Sequence, residues 1–281
     1  RWRVPLTYGE YLKVPELLEL QKELSSPKHH DEALFIIIHQ VYELWFKLIL
    51  HEVDSAVGHL QGDRVGEGTR LLRRVVEVQR LLIHQVRILE TMRPQDFLGF
   101  RYHLNPASGF QSVQFRELEF TLGLKDPEMA ARLSCSAAES ERLRRRLEAP
   151  SVGDALDALM ARRGLLVAPA DGERRLGALV RIYEDEQRHP DLNALCEVLI
   201  EMDECLALWR AHHVQMVERM IGSRRGTGGS EGVTYLKSTL PKRAFPDLWA
   251  VRARIGADSP DPEALAAASA AGAAGPGRSG C

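Results

Sequence analysis

Residues 31–54 constrain the fold most, because DEALFIIIHQVYELWFKLILHEVD contains no glycine or proline. Asp31 is a favourable N-cap, so a helix is predicted to begin there. A helix that is apolar around most of its circumference is expected to be buried on nearly all sides. Two adjacent apolar stripes repeat at steps of three and four residues, comprising Leu34, Ile38, Val41, Trp45 and Leu48 and, one position round, Phe35, His39, Tyr42, Phe46 and Ile49.

The remaining sequence predicts further helices. Pro15 suits the first turn of a short helix, and Thr69 can cap a long amphipathic helix that reaches about Met92. Asp191 can cap a second long helix that ends near Ile221, before a glycine-rich loop. Because no internal repeat, β-hairpin or βαβ pattern occurs, the sequence indicates an all-α protein, a helical bundle.

Composition divides the chain into segments. Residues 1–13, RWRVPLTYGEYLK, are predicted to form an extended or loosely turned arm, and 14–255 a single helical domain. Within that domain, 126–190 contains short helical pieces broken by prolines and glycines, which suggests a peripheral insertion. Residues 256–281 are mostly alanine, glycine, proline and serine and are expected to form a disordered tail.

Composition and charge also bound the function. A formal net charge of −2 over 281 residues gives no electrostatic basis for binding nucleic acid or an anionic membrane. The four cysteines show no C-x-x-C spacing and indicate free thiols in a reducing compartment. No apolar run of membrane-spanning length and no signal-like segment is expected, so we predict a cytoplasmic protein.

Two histidines, His39 and His213, lie on the apolar stripes of long predicted helices. A single buried histidine is more often a hydrogen-bonded core residue than a ligand. Two inward imidazoles can, however, form a cofactor site within a bundle. A haem iron would take one imidazole as axial ligand, with the other on the open face. The neighbouring His212 lies about 100° from the apolar stripe, so His213 is the preferred inward histidine. No H-E-x-x-H motif or Cys/His ligand spacing favours a non-haem metal.

Two further features have both a structural and a functional interpretation. The glycine-rich loop 222–232 is typical of a flexible connector, although its backbone and Thr227 could approach a small polar ligand closely. Arg101 lies in an aromatic-rich loop, where an arginine is either a surface charge or a clamp for a carboxylate. No G-x-S-x-G motif indicates a serine hydrolase.

Four segments resemble the tryptophan 2,3-dioxygenase family: LTYGEYL, LFIIIHQVYELWFKLILHE, FLGFRYHLNPASGFQSVQFRELE and HHVQMVERMIGSRRGTGGSEGVTYLK. They occur in order from about residue 6 to residue 252. The resemblance implies an all-helical homotetramer that binds haem b. It implies that the protein uses O2 to cleave the indole C2–C3 bond of L-tryptophan, which gives N-formylkynurenine.

The resemblance also implies roles for individual residues. His213 would be the proximal ligand of the haem iron, and His39 the distal histidine that accepts a hydrogen bond from the indole N–H. Arg101 would bind the substrate carboxylate as a bidentate pair. The other implied site residues are Phe35 and Phe97 in the substrate pocket, Thr227 at the amino-acid end, Ser108 and Gly226 at the haem, and Tyr8, Tyr11 and Leu12 on an arm that completes a neighbouring subunit's pocket.

The sequence also departs from the family pattern. Phe97 replaces a tyrosine that some members have, and Glu231 follows GTGGS where serine is commoner. A carboxylate near the amino-acid end leaves open a biosynthetic relative that oxygenates tryptophan or a substituted tryptophan, including as a monooxygenase. A haem sensor or carrier without turnover is disfavoured by Arg101, Thr227 and the tyrosine-containing arm. The last alternative, a purely structural helical protein, would be supported if the purified protein did not take up haem.

Overall fold

The computed structural model describes residues 5–133, 135–167, 172–227 and 232–256. All regular structure in these ranges is helical, which confirms the predicted all-α fold. Short 3₁₀ turns occur at Arg101–Leu104, Gly109–Gln111 and Val251–Ala253. The α-helices, in chain order, are α1 (Tyr8–Leu12), α2 (Val14–Leu18), α3 (His30–Gln61), α4 (Val65–Leu89), α5 (Pro94–Phe100), α6 (Val113–Thr121), α7 (Pro127–Arg132), α8 (Ala137–Glu148), α9 (Val152–Arg162), α10 (Gly172–Glu184), α11 (Pro190–Ile221), α12 (Val233–Ser238) and α13 (Pro246–Ala250).

Three long helices form the centre of the molecule, with α4 packed against both α3 and α11. Their buried side chains belong to two hydrophobic clusters. The larger includes Leu60, Leu72 and Leu199, which are fully buried. The smaller includes Ile38 and Phe100 and lies among α3, α4, α5 and the end of α11. The candidate site described below is lined by members of both clusters.

Helix α3 is less buried within one chain than its composition predicts. Ile38, Ile49 and Val53 face α4 and the core, whereas Ile37 is 46% exposed and Leu44 is 52% exposed. The prediction of burial on nearly all sides is therefore wrong for the isolated chain. No apolar run of membrane-spanning length was expected, but α3 is long and apolar enough, by length and composition alone, to cross a membrane. A core helix of a soluble protein meets the same criterion, and α3 packs on α4, α6 and α9.

The predicted helix starts are each displaced by a few residues. His29 is the N-cap of α3, so Asp31 lies in the first turn, where its carboxylate interacts favourably with the positive end of the helix dipole. Asp191 likewise follows Pro190, the first residue of α11. Helix α4 begins at Val65, and Thr69 is buried inside it rather than capping it.

The N-terminal segment is helical, and the prediction of an extended or loosely turned arm is wrong for α1. Thr7 and Glu10 form a reciprocal capping box, which stabilises this single turn. The next helix, α2, ends early at Leu18. The chain beyond it has no regular secondary structure at 20–25 and is anchored to α3, where Glu32 accepts hydrogen bonds from the backbone nitrogens of Leu24 (2.7 Å) and Ser25 (3.0 Å).

The segment 126–190 is peripheral to the candidate site but not to the core. Its residues do not line the cavity described below. Leu156 and Leu159 of α9 and Leu179 of α10 are nevertheless fully buried in the larger cluster. The prediction that this segment lies outside the core is therefore wrong for α9 and α10. The predicted tail beyond Gly256 lies outside the described residues.

Candidate functional site

A cavity of about 270 Å³ lies among α3, α5, α6, α11 and α12. His39 of α3 and His213 of α11 both line it, although 174 positions separate them along the chain. Their convergence follows from the inward stripes of two long helices that pack on the same partner, α4. Most other lining side chains are apolar, among them Val86, Met216 and Met220.

His39 is held in one tautomer by its own helix. Its Nδ1 lies 2.7 Å from the backbone oxygen of Phe35, so Nδ1 donates the proton and Nε2 keeps a free lone pair. Burial lowers the pKa of His39, and the hydrogen bond to Phe35 and the Glu43 carboxylate oppose that shift only in part. His39 is therefore a neutral imidazole at neutral pH, able to accept one hydrogen bond.

His213 is also neutral. Burial, with a smaller contribution from His39, lowers the pKa of His213 to about 4. Its ring stacks on that of Trp209, one helical turn earlier, with centroids 5.1 Å apart and planes inclined by 4°. A neutral, buried imidazole with a fixed plane can act as a metal ligand.

An aromatic cluster forms the wall beside His39. The ring of Phe35 lies 4.1 Å from the His39 ring and 5.7 Å from that of Phe97. Phe100 packs edge-on against both phenylalanines and is fully buried. These contacts fix a flat apolar surface next to the hydrogen-bonding imidazole, a combination that suits an aromatic ligand with one N–H group.

Arg101 and Thr227 lie in the same cavity wall, brought together from distant segments. Arg101 donates from Nη2 to the backbone oxygen of Arg225. Thr227 Oγ1 donates to the backbone oxygen of Ala107 at 2.6 Å. Because the acceptor for Arg101 is a neutral backbone carbonyl, a ligand carboxylate could displace that carbonyl. The carboxylate would form a stronger, charge-assisted hydrogen bond with the guanidinium group.

The structure thus brings eight of the predicted site residues to one cavity. These are Phe35, His39, Phe97, Arg101, Ser108, His213, Gly226 and Thr227. Tyr8, Tyr11 and Leu12 do not line it: they lie on α1, where the two tyrosines are 78% and 73% exposed. Glu231 lies outside the described residues. The roles assigned to these residues stay predictions.

Sequence reasoning missed a charged group in the cavity wall. Arg116, Glu119 and Arg210 all line the cavity and are buried. Trp209 and Tyr235 also line it, and each has a buried polar atom without a hydrogen-bond partner in the described part of the chain. One signal was available: Arg116 and Glu119 are three residues apart among the apolar residues of QFRELEF, a spacing that brings opposite charges together on one face of a helix.

Comparison with known proteins identifies the family. The family model described as tryptophan 2,3-dioxygenase matches residues 3–133 and 128–255. The chain belongs to the tryptophan 2,3-dioxygenase family. A tryptophan 2,3-dioxygenase of Nocardioides sp. is 50% identical over 256 residues, 89% of this chain and 95% of the relative. Another, of Xanthomonas oryzae pv. oryzae, is 42% identical over 272 residues, 93% of this chain and 92% of the relative.

Membership of the tryptophan 2,3-dioxygenase family confirms the resemblance seen in the sequence. It also confirms the prediction of an enzyme that oxidises tryptophan to N-formylkynurenine. The similarity extends over the histidines, the arginine and the threonine of the cavity, since the matched ranges contain all four positions.

Proposed function

We propose that the cavity is the active site, where O2 is inserted across the indole C2–C3 bond of L-tryptophan beside a bound haem b. The observation that carries this proposal is the convergence of two neutral imidazoles, His39 and His213, with Arg101 and Thr227 in one apolar cavity. The imidazoles suit a cofactor on one side and an indole N–H on the other. The arginine and the threonine suit the amino-acid end of the substrate.

The residues present fit a haem better than a metal held by several side chains. The described ranges contain no group of three His, Cys, Asp or Glu residues that could hold a metal ion. A haem needs a single imidazole from the protein and an apolar cavity. Polar atoms without partners at Trp209 Nε1, Arg116 Nε and Tyr235 Oη in the cavity wall fit a large group with polar edges.

His213 would hold the haem iron through its neutral ring, with the stacked Trp209 limiting rotation of that ring. When bound, the haem supplies an iron centre that activates dioxygen. Because an axial imidazole must be unprotonated, the low pKa of His213 keeps the ligand available well below neutral pH.

His39 would orient the substrate rather than remove its proton. Its Nε2 can accept the indole N–H because Nδ1 is committed to Phe35. Phe35 and Phe97 would pack against the indole ring. Arg101 would bind the substrate carboxylate through two parallel hydrogen bonds and Thr227 would contact the ammonium and carboxylate, which fixes C2 and C3 in place.

We further propose that the enzyme is a homotetramer in which α1 of one subunit completes a neighbour's pocket. Tyr8, Tyr11 and Leu12 of α1 are exposed in the single chain, although two are aromatic and one is aliphatic. The exposed side chains Ile37 and Leu44 of α3 add apolar surface that association would cover. We place the enzyme in the cytoplasm, where the free thiols of Cys196 and Cys205 would stay reduced.

The test is to load the purified protein with haem, reduce it without air, and then add L-tryptophan and air. We expect absorbance of N-formylkynurenine and a product heavier than tryptophan by two oxygen atoms. A product heavier by one oxygen would establish a monooxygenase instead. Failure to oxidise L-tryptophan, with haem bound and a substituted tryptophan turned over, would establish a different substrate.

A further inference from the structure

A tight contact joins the start of α3 to helix α5 just outside the cavity. Gly99 of α5 faces the imidazole of His29, and neither residue lines the cavity. A Cβ atom at position 99 would lie 3.0 Å from Nδ1 of His29, 3.1 Å from its Nε2 and closer still to its Cε1. Real Cβ atoms do not approach other heavy atoms so closely, so the imidazole occupies the space that a side chain at position 99 would need.

Backbone conformation does not explain this glycine. Gly99 lies inside α5 and is not among the described glycines of positive φ, so an L-residue could adopt its backbone conformation. Glycine also disfavours a helix relative to alanine, and α5 has only seven residues. The advantage of glycine at this position is therefore the close approach of His29.

Helix capping does not explain the histidine. His29 is the N-cap of α3, but its side chain makes no capping hydrogen bond within the described residues, and serine, threonine, aspartate and asparagine are the usual capping residues. Its backbone is nevertheless fixed, because its N–H donates to Ser25 Oγ at 3.0 Å and the Ser25 hydroxyl donates to the buried carboxylate of Glu32. Its ring lies 6.2 Å from that of Phe100. An imidazole anchored in this way limits how closely α5 can approach α3.

The same two helices meet again at the cavity. Phe35 of α3 and Phe97 of α5 have ring centroids 5.7 Å apart, and Phe100 packs edge-on against both. Arg101 directly follows α5. A change in the separation of α3 and α5 would therefore move Phe97 and Arg101 relative to His39, which lies on α3. A misplacement of about 1 Å can cost an enzyme about a hundredfold in rate.

We infer that His29 and Gly99 act as a spacer that sets the separation of α3 and α5 and thereby positions Phe97 and Arg101 for the substrate. Neither residue of the spacer would touch the substrate, so both are positioning residues. The inference rests on the proposed function, which assigns the indole to Phe97 and the carboxylate to Arg101.

Gly99→Ala and His29→Ala, alone and combined, test the contact independently of activity. In the wild-type background, Gly99→Ala should lower the urea concentration at which half of the haem-loaded protein is unfolded, because the methyl group would overlap the imidazole. In the His29→Ala background the same change should leave that midpoint unchanged or raise it, because the space is free and alanine is the better helix former. Gly177→Ala in α10 is the matched control, since no heavy atom of the described chain outside its own helix lies within 4 Å of a Cβ atom there.

Steady-state formation of N-formylkynurenine by the same haem-loaded variants tests the positioning. Gly99→Ala should raise the KM for L-tryptophan about tenfold with a smaller change in kcat, because displacement of Phe97 and Arg101 weakens substrate binding. The double variant should return the KM to within about threefold of the wild-type value, because the overlap is relieved. Gly177→Ala should leave both constants unchanged.

The outcomes separate this inference from the proposed function. An unchanged KM in Gly99→Ala, even with a lower midpoint of unfolding, would overturn the inference, because the contact would then be structural only. A raised KM that His29→Ala does not relieve would also overturn it, since the alanine would then meet another group. If Gly99→Ala does not fold, a double variant that folds supports the spacer and one that does not fold overturns it. An unchanged KM in Arg101→Lys would refute the proposed role of Arg101, and this inference with it, whatever the midpoints of unfolding show.

Discussion

The rings of His213 and Trp209 lie parallel, with centroids 5.1 Å apart and an angle of 4° between their planes. Trp209 is itself packed edge-on against Tyr42 and lies 5.0 Å from Phe115. The proposed iron ligand therefore has its orientation set by a chain of aromatic contacts from α3 and α6. Burial in the cavity wall is the main cause of its low pKa.

The first prediction concerns pH and the apoprotein. The pKa of His213 is lowered to about 4 by burial, against 6.5 in the unfolded chain, so the unfolded state binds more protons between these values. Stability must therefore fall as pH falls through this window, by about 2 kcal/mol between pH 7 and pH 5 from this group. The lowered pKa of His39 acts in the same direction. Urea unfolding of the apoprotein at the two pH values measures the effect.

His213→Phe should reduce this dependence, because the phenylalanine has no proton to bind. His212→Phe is the matched control, since its neighbour His212 does not line the cavity. The explanation would fail if the His213 variant lost as much stability as the wild type between pH 7 and pH 5.

The second prediction concerns the substrate carboxylate. Arg101→Lys should raise the KM for L-tryptophan about tenfold or more, because a lysine cannot form two parallel hydrogen bonds with a carboxylate. Steady-state formation of N-formylkynurenine gives the constants. Arg93→Lys provides the comparison: Arg93 lies in the same region but is exposed, pairs with Asp96 and does not line the cavity. An unchanged KM in Arg101→Lys would remove this arginine from the site.

The third prediction concerns the core beyond the site. Leu156→Ala in α9 should lower the free energy of unfolding by about 2–5 kcal/mol, because a fully buried leucine leaves a cavity. Its KM for L-tryptophan should not change, since α9 does not line the site. Leu208→Ala, at a side chain that is 46% exposed, should cost far less stability. Comparable losses in the two variants would show that α9 is not part of the core.

The fourth prediction concerns the arm. If α1 completes a neighbour's pocket, Tyr11→Ala should impair turnover while the haem still binds, because the tyrosine then acts in another subunit. Mixing unfolded Tyr11→Ala and His213→Ala chains and refolding them together should regain activity. In a mixed tetramer the intact arm of a His213→Ala chain can complete the intact pocket of a Tyr11→Ala chain. Activity no higher than the sum of the separate variants would show that the arm serves its own subunit.

The inward positions of His39 and His213 could be predicted because helical periodicity depends only on local sequence. Each histidine lies on a stripe of apolar residues that must face the core, so convergence required only that both helices pack on α4. The family roles of Arg101 and Thr227 came from motifs instead. Periodicity does not indicate which residues of a loop reach a site 100 positions away.

Other features depend on tertiary contacts that local sequence does not specify. Thr69 resembles a cap, but packing of α4 extends the helix past it to Val65. The stripes of α9 and α10 do not indicate which surface they cover, and these helices contribute to the main core. The cluster of Arg116, Glu119 and Arg210 forms only when α6 meets α11, so the sequence of α6 alone shows the Arg116–Glu119 pair but not its contact with Arg210.

The most direct test of the proposed activity is isotopic. The haem-loaded, reduced enzyme would be given L-tryptophan under ¹⁸O2, and the mass of the product measured at once, with His213→Ala treated in parallel. We predict N-formylkynurenine that carries two labelled oxygen atoms from the wild type and no product from the variant. A single labelled oxygen in the product, or equal turnover by His213→Ala, would contradict dioxygenation in this cavity.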